Sequence, residues 1–346
     1  MLIDTGEKHG AHYIVQDLKD LGVETIDYLL ITHEDGDHVG GIEAVSEAFE
    51  IKNVIYQQFI KTSVMETIKS VATAEGATEL LFVEGDVLEI GDVRFDVIGP
   101  NVEQVQAWKT ADTYEANQSS IAMVMSYGET KVFLGADALW RNEQAWLANE
   151  TIKALISDCQ LLKLNHHGIC NANTSEFLKV VNADKYVITQ MREYGTQLGM
   201  AVEQLDGVLG VIWEDIYATG RHGMIKAVIG NDGALDMSCQ YVPVSDAAPN
   251  PTPTPNPTPT PDPTPTPDPT PEPTLEPDSE DEDMGKEDDS VDSKEQDKAE
   301  KTKASSKAAG STETGDDTPI MKYMLLLVIA AIALVIVLGK KETHNE

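Results

Sequence analysis

Over roughly the first 245 positions, short apolar runs alternate with longer stretches whose apolar residues recur every three or four places. Tyr28-Leu29-Leu30-Ile31-Thr32 predicts a buried strand, as do residues 53–56, 94–98, 131–134, 161–164 and 185–188, each a run rich in Val, Ile, Leu or an aromatic. The three-and-four spacing predicts amphipathic helices over 11–21, 40–49, 63–75, 140–156 and 174–182. Gly85-Asp86 and Gly91-Asp92 punctuate a hairpin between them. Strands alternating with helices predict an α/β layer fold. Residues 1–246 are long enough to close one hydrophobic core.

Beyond that point the pattern stops. Residues 247–274 form a proline-threonine stretch that repeats PTPTPN, PTPTPD, PTPTPD, PTPEPT from residue 251. Alternate prolines block helix and sheet pairing and favour extended polyproline II, so the segment predicts a stalk. Residues 275–319 are acidic and lysine-rich, too polar to bury a core, and predict a disordered linker. Residues 320–339 are apolar apart from Lys322 and are followed by Lys340 and Lys341. They predict one transmembrane helix, with 340–346 as a short cytoplasmic tail and the large domain outside the cell. A Pro-Thr stalk suits lifting a domain through a thick Gram-positive wall. Thr314-Gly315, Pro319, the apolar run and the lysines resemble a degenerate sortase signal, which makes sortase processing a second reading of the same segment.

The formal net charge is −34, and the first 246 residues hold 38 acids against 16 bases. No basic patch is visible, so no stable nucleic-acid complex is expected. Cys159, Cys170 and Cys239 are too few and too scattered for a disulfide framework and are read as mostly buried small hydrophobes, with Cys170, two residues past a His-His-Gly triplet, the exception. Met1-Leu2-Ile3-Asp4-Thr5-Gly6 has neither the basic start nor the long apolar run of a secretory leader.

The candidate chemistry lies just after the first predicted buried strand, in His33-Glu34-Asp35-Gly36-Asp37-His38-Val39-Gly40-Gly41. Two imidazoles and the aligned carboxylates Asp35 and Asp37 suit zinc, manganese or iron, and a strand-to-helix loop is where open metal sites are built. The run resembles the HxHxDH motif of the metallo-β-lactamase superfamily, in the HxDxDH variant of the C-terminal hydrolase domain of ComEC-type DNA-uptake proteins. Further segments resemble that family in order: Ile3-Asp4-Thr5-Gly6, Asn117-Gln118-Ser119-Ser120-Ile121, Phe133-Leu134-Gly135-Ala136-Asp137, Leu164-Asn165-His166-His167-Gly168, and Tyr217 to Gly223 as a closing hairpin.

The resemblance implies an αββα sandwich whose first strands, normally about two before Ile3-Asp4, are missing. An upstream start is the expected source of those strands and of an export signal. It implies one or two divalent ions, zinc or manganese. His33 and Asp35 would serve one ion, Asp37 and His38 the other, Asp137 would bridge, and His166 would complete the second position. His167 is the alternative ligand, and Asp37 and His167 are the expected catalytic side chains. Asn117 or Gln118 stands where many members place a further histidine, Asp35 replaces a histidine and favours manganese, and Ile169 replaces a serine. The implied function is a cell-surface hydrolase of phosphodiester or other small substrates. A surface binding module that kept the fold is the alternative, and β-lactam hydrolysis fits the ligand set less well. His9 and His12 read as solvated loop residues, His222 as a minor candidate for substrate contact, and Trp108 as a lid residue.

Overall fold

The protein, seen in a computed structural model, is described over residues 1–190, 195–241, 323–329 and 334–340. The stalk, the acidic linker and almost all of the predicted tail lie outside the described residues. Two sheets face each other. One has eight strands in the order Leu235–Cys239, Ile225–Ile229, Tyr323–Ile329, Leu334–Lys340, Leu2–Ile3, Leu29–Leu30, Asn53–Tyr56 and Thr78–Leu81. The other has seven, in the order Ile216–Ala218, Lys185–Ile188, Leu161–Lys163, Thr130–Leu134, Ala122–Tyr127, Val93–Gly99 and Val87–Ile90.

Three apolar clusters account for the layering. Leu30 and Ile55 of the first sheet meet Phe95, Met123, Val132 and Val187 of the second, and these side chains form the layer between the sheets. The helices Ala11–Asp20, Ile42–Ala48 and Thr62–Glu75 bury Ile14, Leu18, Val45, Ile68 and Val71 against the outer face of the first sheet. Trp146, Ile156, Phe177 and Leu205 pack likewise on the outer face of the second. The result is the αββα sandwich that the resemblance implies, with the strands and helices predicted within residues 1–246 present to within a few residues apart from a break in 140–156.

Four local differences have physical causes. The predicted helix 140–156 is broken at Asn149, whose backbone is extended and whose side chain accepts from Thr151 N and Ile152 N, starting a second helix. The polar stretch 100–117 contains a helix, Val102–Thr110, capped by Asn101 accepting from Gln104 N, with Trp108 half-buried on it. The expected hairpin at 217–223 is instead the strand Ile216–Ala218 running into a helical turn, Thr219–His222, and the hairpin proper follows it.

The fourth difference corrects the C-terminal expectation. The described parts of the predicted transmembrane helix are two antiparallel strands, Tyr323–Ile329 and Leu334–Lys340, paired with each other. Among the described residues, no helix is long and apolar enough to cross a membrane. A run of Leu, Val and Ile has no periodicity that separates strand from helix, and here the backbone decides. Ile225–Ile229 pairs antiparallel with Tyr323–Ile329, and Leu2–Ile3 pairs with Leu334 and Val335. The hairpin thereby fills the place next to Leu2–Ile3 where earlier strands were expected, and supplies partners to two edges otherwise unpaired.

Candidate metal centre

The donor residues converge because three strand ends of the two sheets open onto one edge of the sandwich. The strand Leu29–Leu30 leads through Thr32 to His33, and the four-residue helix Gly36–Val39 carries Asp37 and His38. That short helix is tied to the neighbouring turn: Thr5 N donates to His38 O (2.7 Å) and Gly41 N to Gly6 O (2.9 Å). The contact leaves no room for a side chain, since a Cβ on Gly41 would sit 2.2 Å from Thr5 O. The close approach explains the glycine pair that follows the histidines.

The same turn brings in Asp4, at φ 61°. Its buried carboxylate accepts from Thr32 N (2.8 Å), from Thr32 Oγ1 (2.8 Å) and from His38 Nδ1 (2.7 Å). A carboxylate can only accept, so the His38 proton is on Nδ1 and Nε2 faces the centre, the orienting arrangement of metal-bound histidines. In the motif Asp4 is only a landmark; its role appears once the two segments are seen in contact.

Asp137 follows the strand Thr130–Leu134 through Gly135 and Ala136, the latter at φ 50°. A Cβ on Gly135 would lie 1.9 Å from Asn165 Oδ1, so this turn must pass directly under the histidine loop. Lys163 donates from Nζ to Ala136 O (3.0 Å) and stands 3.7 Å from Asp137 Oδ1. Burial pushes the Lys163 ammonium down from its ordinary value, against the pull of Asp137.

The pair His166-His167 sits in a loop with both residues left-handed, φ 46° and 55°. Fully buried Glu143 holds that loop, accepting from Asn165 Nδ2 (2.8 Å), Asn173 N (2.5 Å) and Thr174 N (2.8 Å). The two left-handed residues send the rings apart, with centroids 6.1 Å from each other. His167 Nδ1 donates to Thr189 O (2.6 Å), leaving Nε2 to the centre. His166 instead bonds Asn171 Oδ1 through Nδ1 (2.7 Å), and its Nε2 accepts from Asn117 Nδ2 (3.1 Å). The structure thus places His167, the alternative, beside Asp37 and His38, and turns His166 toward Asn117.

Four donor atoms meet. Asp137 Oδ2 lies 3.0 Å from His167 Nε2 and 3.2 Å from His38 Nε2. His167 Nε2 is 3.3 Å from His38 Nε2 and 3.3 Å from Asp37 Oδ2, and His38 Nε2 is 3.8 Å from Asp37 Oδ2. An ion with four ligands at about 2.0–2.1 Å has donor-to-donor edges of roughly 3.3–3.4 Å, so these residues fit a divalent ion. His33 Nε2 is 3.6 Å from Asp35 Oδ2 and 3.9 Å from Asp137 Oδ2, and it is buried with no hydrogen-bond partner. Among the described residues, Asp37, His38, Asp137 and His167 are the one group of three or more whose donor atoms could share an ion.

Crowded oxygens and lone pairs need positive charge between them, and protonation shows it. Burial works against a charged His38, yet Asp137 and Asp4 outweigh it and raise the imidazole well above its usual 6.5. His167 is raised in the same way, burial being outweighed by Asp137. Asp137 stays ionised despite burial because His38 and His167 hold it well below the carboxylate range. Burial would raise Asp37, but His167 and His38 bring it to about 2. His166, lowered mainly by burial, is a neutral ring. The remaining histidines stand apart. Exposed His9 lies in the turn before the helix Ala11–Asp20, and exposed His12 lies in the first turn of that helix rather than on a loop as expected. Buried His222 bonds its own turn at Ala218.

The family model of the metallo-beta-lactamase superfamily matches residues 1–188. The chain belongs to that superfamily. ComE operon protein 3 of Bacillus subtilis is 28% identical over 182 residues, which cover 52% of this chain and 22% of that protein. The chain therefore spans about a fifth of that relative's length. The metallo-beta-lactamase fold protein YhfI of Bacillus subtilis is similar at 12% identity and a TM-score of 0.40, over 62% of this chain and 81% of its own. CmlA, a diiron beta-hydroxylase from Streptomyces venezuelae, is similar at 13% identity and a TM-score of 0.35, over 55% of this chain and 39% of its own.

Proposed function

We propose that the domain hydrolyses phosphodiester bonds with zinc or manganese held by Asp37, His38, Asp137 and His167. The observation that carries this reading is the convergence of those four donors within 4.8 Å of one another, each histidine nitrogen 3.0–3.8 Å from its neighbours and turned inward by an acceptor behind it. A divalent ion bound there would acidify water and polarise a phosphoryl oxygen. Asp37 is the donor most open to solvent, with 34% of its side chain exposed, and its ionised carboxylate can accept the hydrogen bond that aims an attacking water. Asp4 and Thr189 keep His38 and His167 in the tautomer that leaves Nε2 free. Lys163 stands behind Asp137, its Nζ 3.7 Å from Oδ1. The acidic domain disfavours long polyanion contacts, which supports small or single-stranded substrates over a tightly held duplex.

The test is turnover of bis-p-nitrophenyl phosphate, single-stranded DNA and RNA by the full chain with each metal. Activity is expected with manganese or zinc and should fall at least about 100-fold in Asp37→Ala. Activity that survives Asp37→Ala, or no turnover of any substrate with either metal, refutes the proposal and favours a binding module.

A further inference from the structure

With 38 acids against 16 bases in the first 246 residues, a cation in this domain rarely lacks an acidic neighbour. Lys8, Lys52, Arg94, Lys153 and Lys185 each pair with one. Lys109 and Arg141 do not. Lys109 Nζ lies over the rings of Tyr114 and Phe59, 4.4 and 5.0 Å from their centroids. Arg141 donates from Nη1 to Thr113 O (2.8 Å), and its guanidinium lies 4.8 Å over the ring of Trp140. Among the described residues neither cation pairs with a carboxylate, and Arg141 Nε and Nη2 have no acceptor. Both cations thus converge on the consecutive residues Thr113 and Tyr114.

The bonds around His166 fix where this group stands. Trp140 N donates to Asn171 O (3.0 Å), and Asn171 Oδ1 holds His166 Nδ1 (2.7 Å). Asn117 Nδ2 reaches the other nitrogen of the same ring (3.1 Å), and Tyr114 bonds Ser119, two residues on from Asn117, at 2.9 Å. His166 Nε2 itself is 3.9 Å from Asp137 Oδ2. Burial raises the Tyr114 phenol most, and Glu34 and Asp35 add to it, so that ring stands beside the loop leading to Asp37 and His38. Tyr114 and Arg141 are half-buried, whereas Trp140 keeps 38% of its surface open. Two cations and two rings therefore border the metal centre on the side of Asn117 and His166.

Cations without carboxylates beside an open indole match the chemistry of a nucleotide, whose phosphate takes the charge and whose base takes the ring. We infer that Lys109, Tyr114, Trp140 and Arg141 form a nucleotide-binding wall at the rim of the centre, where a single-stranded nucleic acid lays one base on Trp140 and one backbone phosphate against Arg141 and Lys109. A duplex, with its bases stacked on each other, offers the indole nothing. The small size of the wall also suits an acidic domain, since it engages one phosphate rather than a long polyanion. The inference rests on the hydrolase reading for the substrate being a phosphodiester, but its test contains no turnover.

The full chain, stripped with chelator so that nothing is cleaved, is titrated into fluorescein-labelled single strands of about six nucleotides and followed by anisotropy at low salt. DNA and RNA should both bind, since stacking and phosphate contact read neither sugar, and the duplex of the same sequence should bind at least about fivefold more weakly. Trp140→Ala should weaken the single strand at least about fivefold, and Trp140→Tyr should restore it to within about threefold. Arg141→Gln should weaken it about tenfold and lower the slope of affinity against salt by about 0.7, the share of one phosphate on a single strand, while Arg141→Lys keeps the slope. Lys109→Gln, on an exposed side chain, carries the same test if Arg141→Gln does not fold. Lys153→Gln, which removes a cation elsewhere, should change neither affinity nor slope. Folded Trp140→Ala and Arg141→Gln variants that bind like wild type overturn the inference. So does a Lys153→Gln loss equal to that of Arg141→Gln, or a duplex bound as tightly as the single strand. Absence of binding to any strand overturns it as well, and turnover of bis-p-nitrophenyl phosphate that depends on Asp37 then leaves the hydrolase reading standing. Binding at the wall with no turnover of any substrate refutes the hydrolase reading alone.

Discussion

Replacing Asp4 with asparagine keeps the size of the side chain and reverses the two hydrogen bonds at Oδ2. Thr32 Oγ1 can follow by rotating its proton, and His38 Nδ1 only by changing tautomer. In the native protein Oδ1 accepts from Thr32 N, while Oδ2 accepts from Thr32 Oγ1 and from His38 Nδ1 at 2.7 Å. In Asp4→Asn the amide oxygen is expected to stay on Thr32 N, because the opposite flip would set two donors face to face. The amide NH2 then meets His38 Nδ1, which must become the acceptor, and the imidazole proton moves to Nε2. That is the atom 3.2 Å from Asp137 Oδ2 and 3.3 Å from His167 Nε2. An ion has to displace that proton or turn the ring. Losing such an orienting partner weakens metal binding about 10–100-fold, which is about 1.4–2.7 kcal/mol. Chelator competition on the folded variant measures this directly, and circular dichroism shows whether the fold is intact. A folded Asp4→Asn protein that binds the ion within about twofold of wild type would refute the orientation argument.

Glu143→Ala leaves Asn165 Nδ2, Asn173 N and Thr174 N without an acceptor. At about 1–3 kcal/mol for each buried unpaired group, the urea midpoint should report a loss of about 3 kcal/mol or more, whereas Glu143→Gln should lose less. Ion binding should release protons, because His38 and His167 are raised above 6.5 in the ion-free protein. Affinity should therefore climb as pH rises through and beyond 6.5, with proton release read by calorimetry in buffers of different ionisation enthalpy. The same raised values stabilise the ion-free fold below 6.5 and are lost as pH rises through the folded values, so stability that increases over that window would contradict them. Removing residues 320–346 leaves Leu2–Ile3 and Ile225–Ile229 as unpaired edges, and the remaining chain should aggregate on light scattering. A monodisperse product would show that the hairpin pairing is dispensable.

Much of this protein is legible in its sequence because local pattern and tertiary environment agree. The strands at 53–56 and 185–188 are buried and β-branched, and they form at those positions. His33, Asp35, Asp37 and His38 come from one short loop and the helical turn it enters, so their neighbourhood is set by six consecutive residues. What stays hidden depends on backbone conformation or distant partners. The choice between His166 and His167 turns on two successive left-handed residues and on Glu143, more than twenty residues earlier in the chain. Asp4 acquires its role through contacts with Thr32 and His38 that no spacing rule encodes. The apolar run at 323–340 satisfies the length and hydropathy of a membrane helix, and only the edges at Leu2–Ile3 and Ile225–Ile229 select strands.

Gly41 and Gly135 have a consequence for how related sequences are read. Each is required by a close approach, of the Thr5 carbonyl in one case and of the Asn165 side chain in the other, whatever the histidines nearby are doing. A descendant that exchanged His38 and Asp137 for inert side chains would still need both glycines to keep the same turns. One that kept every histidine and aspartate but gained a methyl group at Gly41 would look competent on paper and be unable to assemble its centre. Matches at the glycines thus trace ancestry of shape, and only matches at the donors trace inheritance of chemistry.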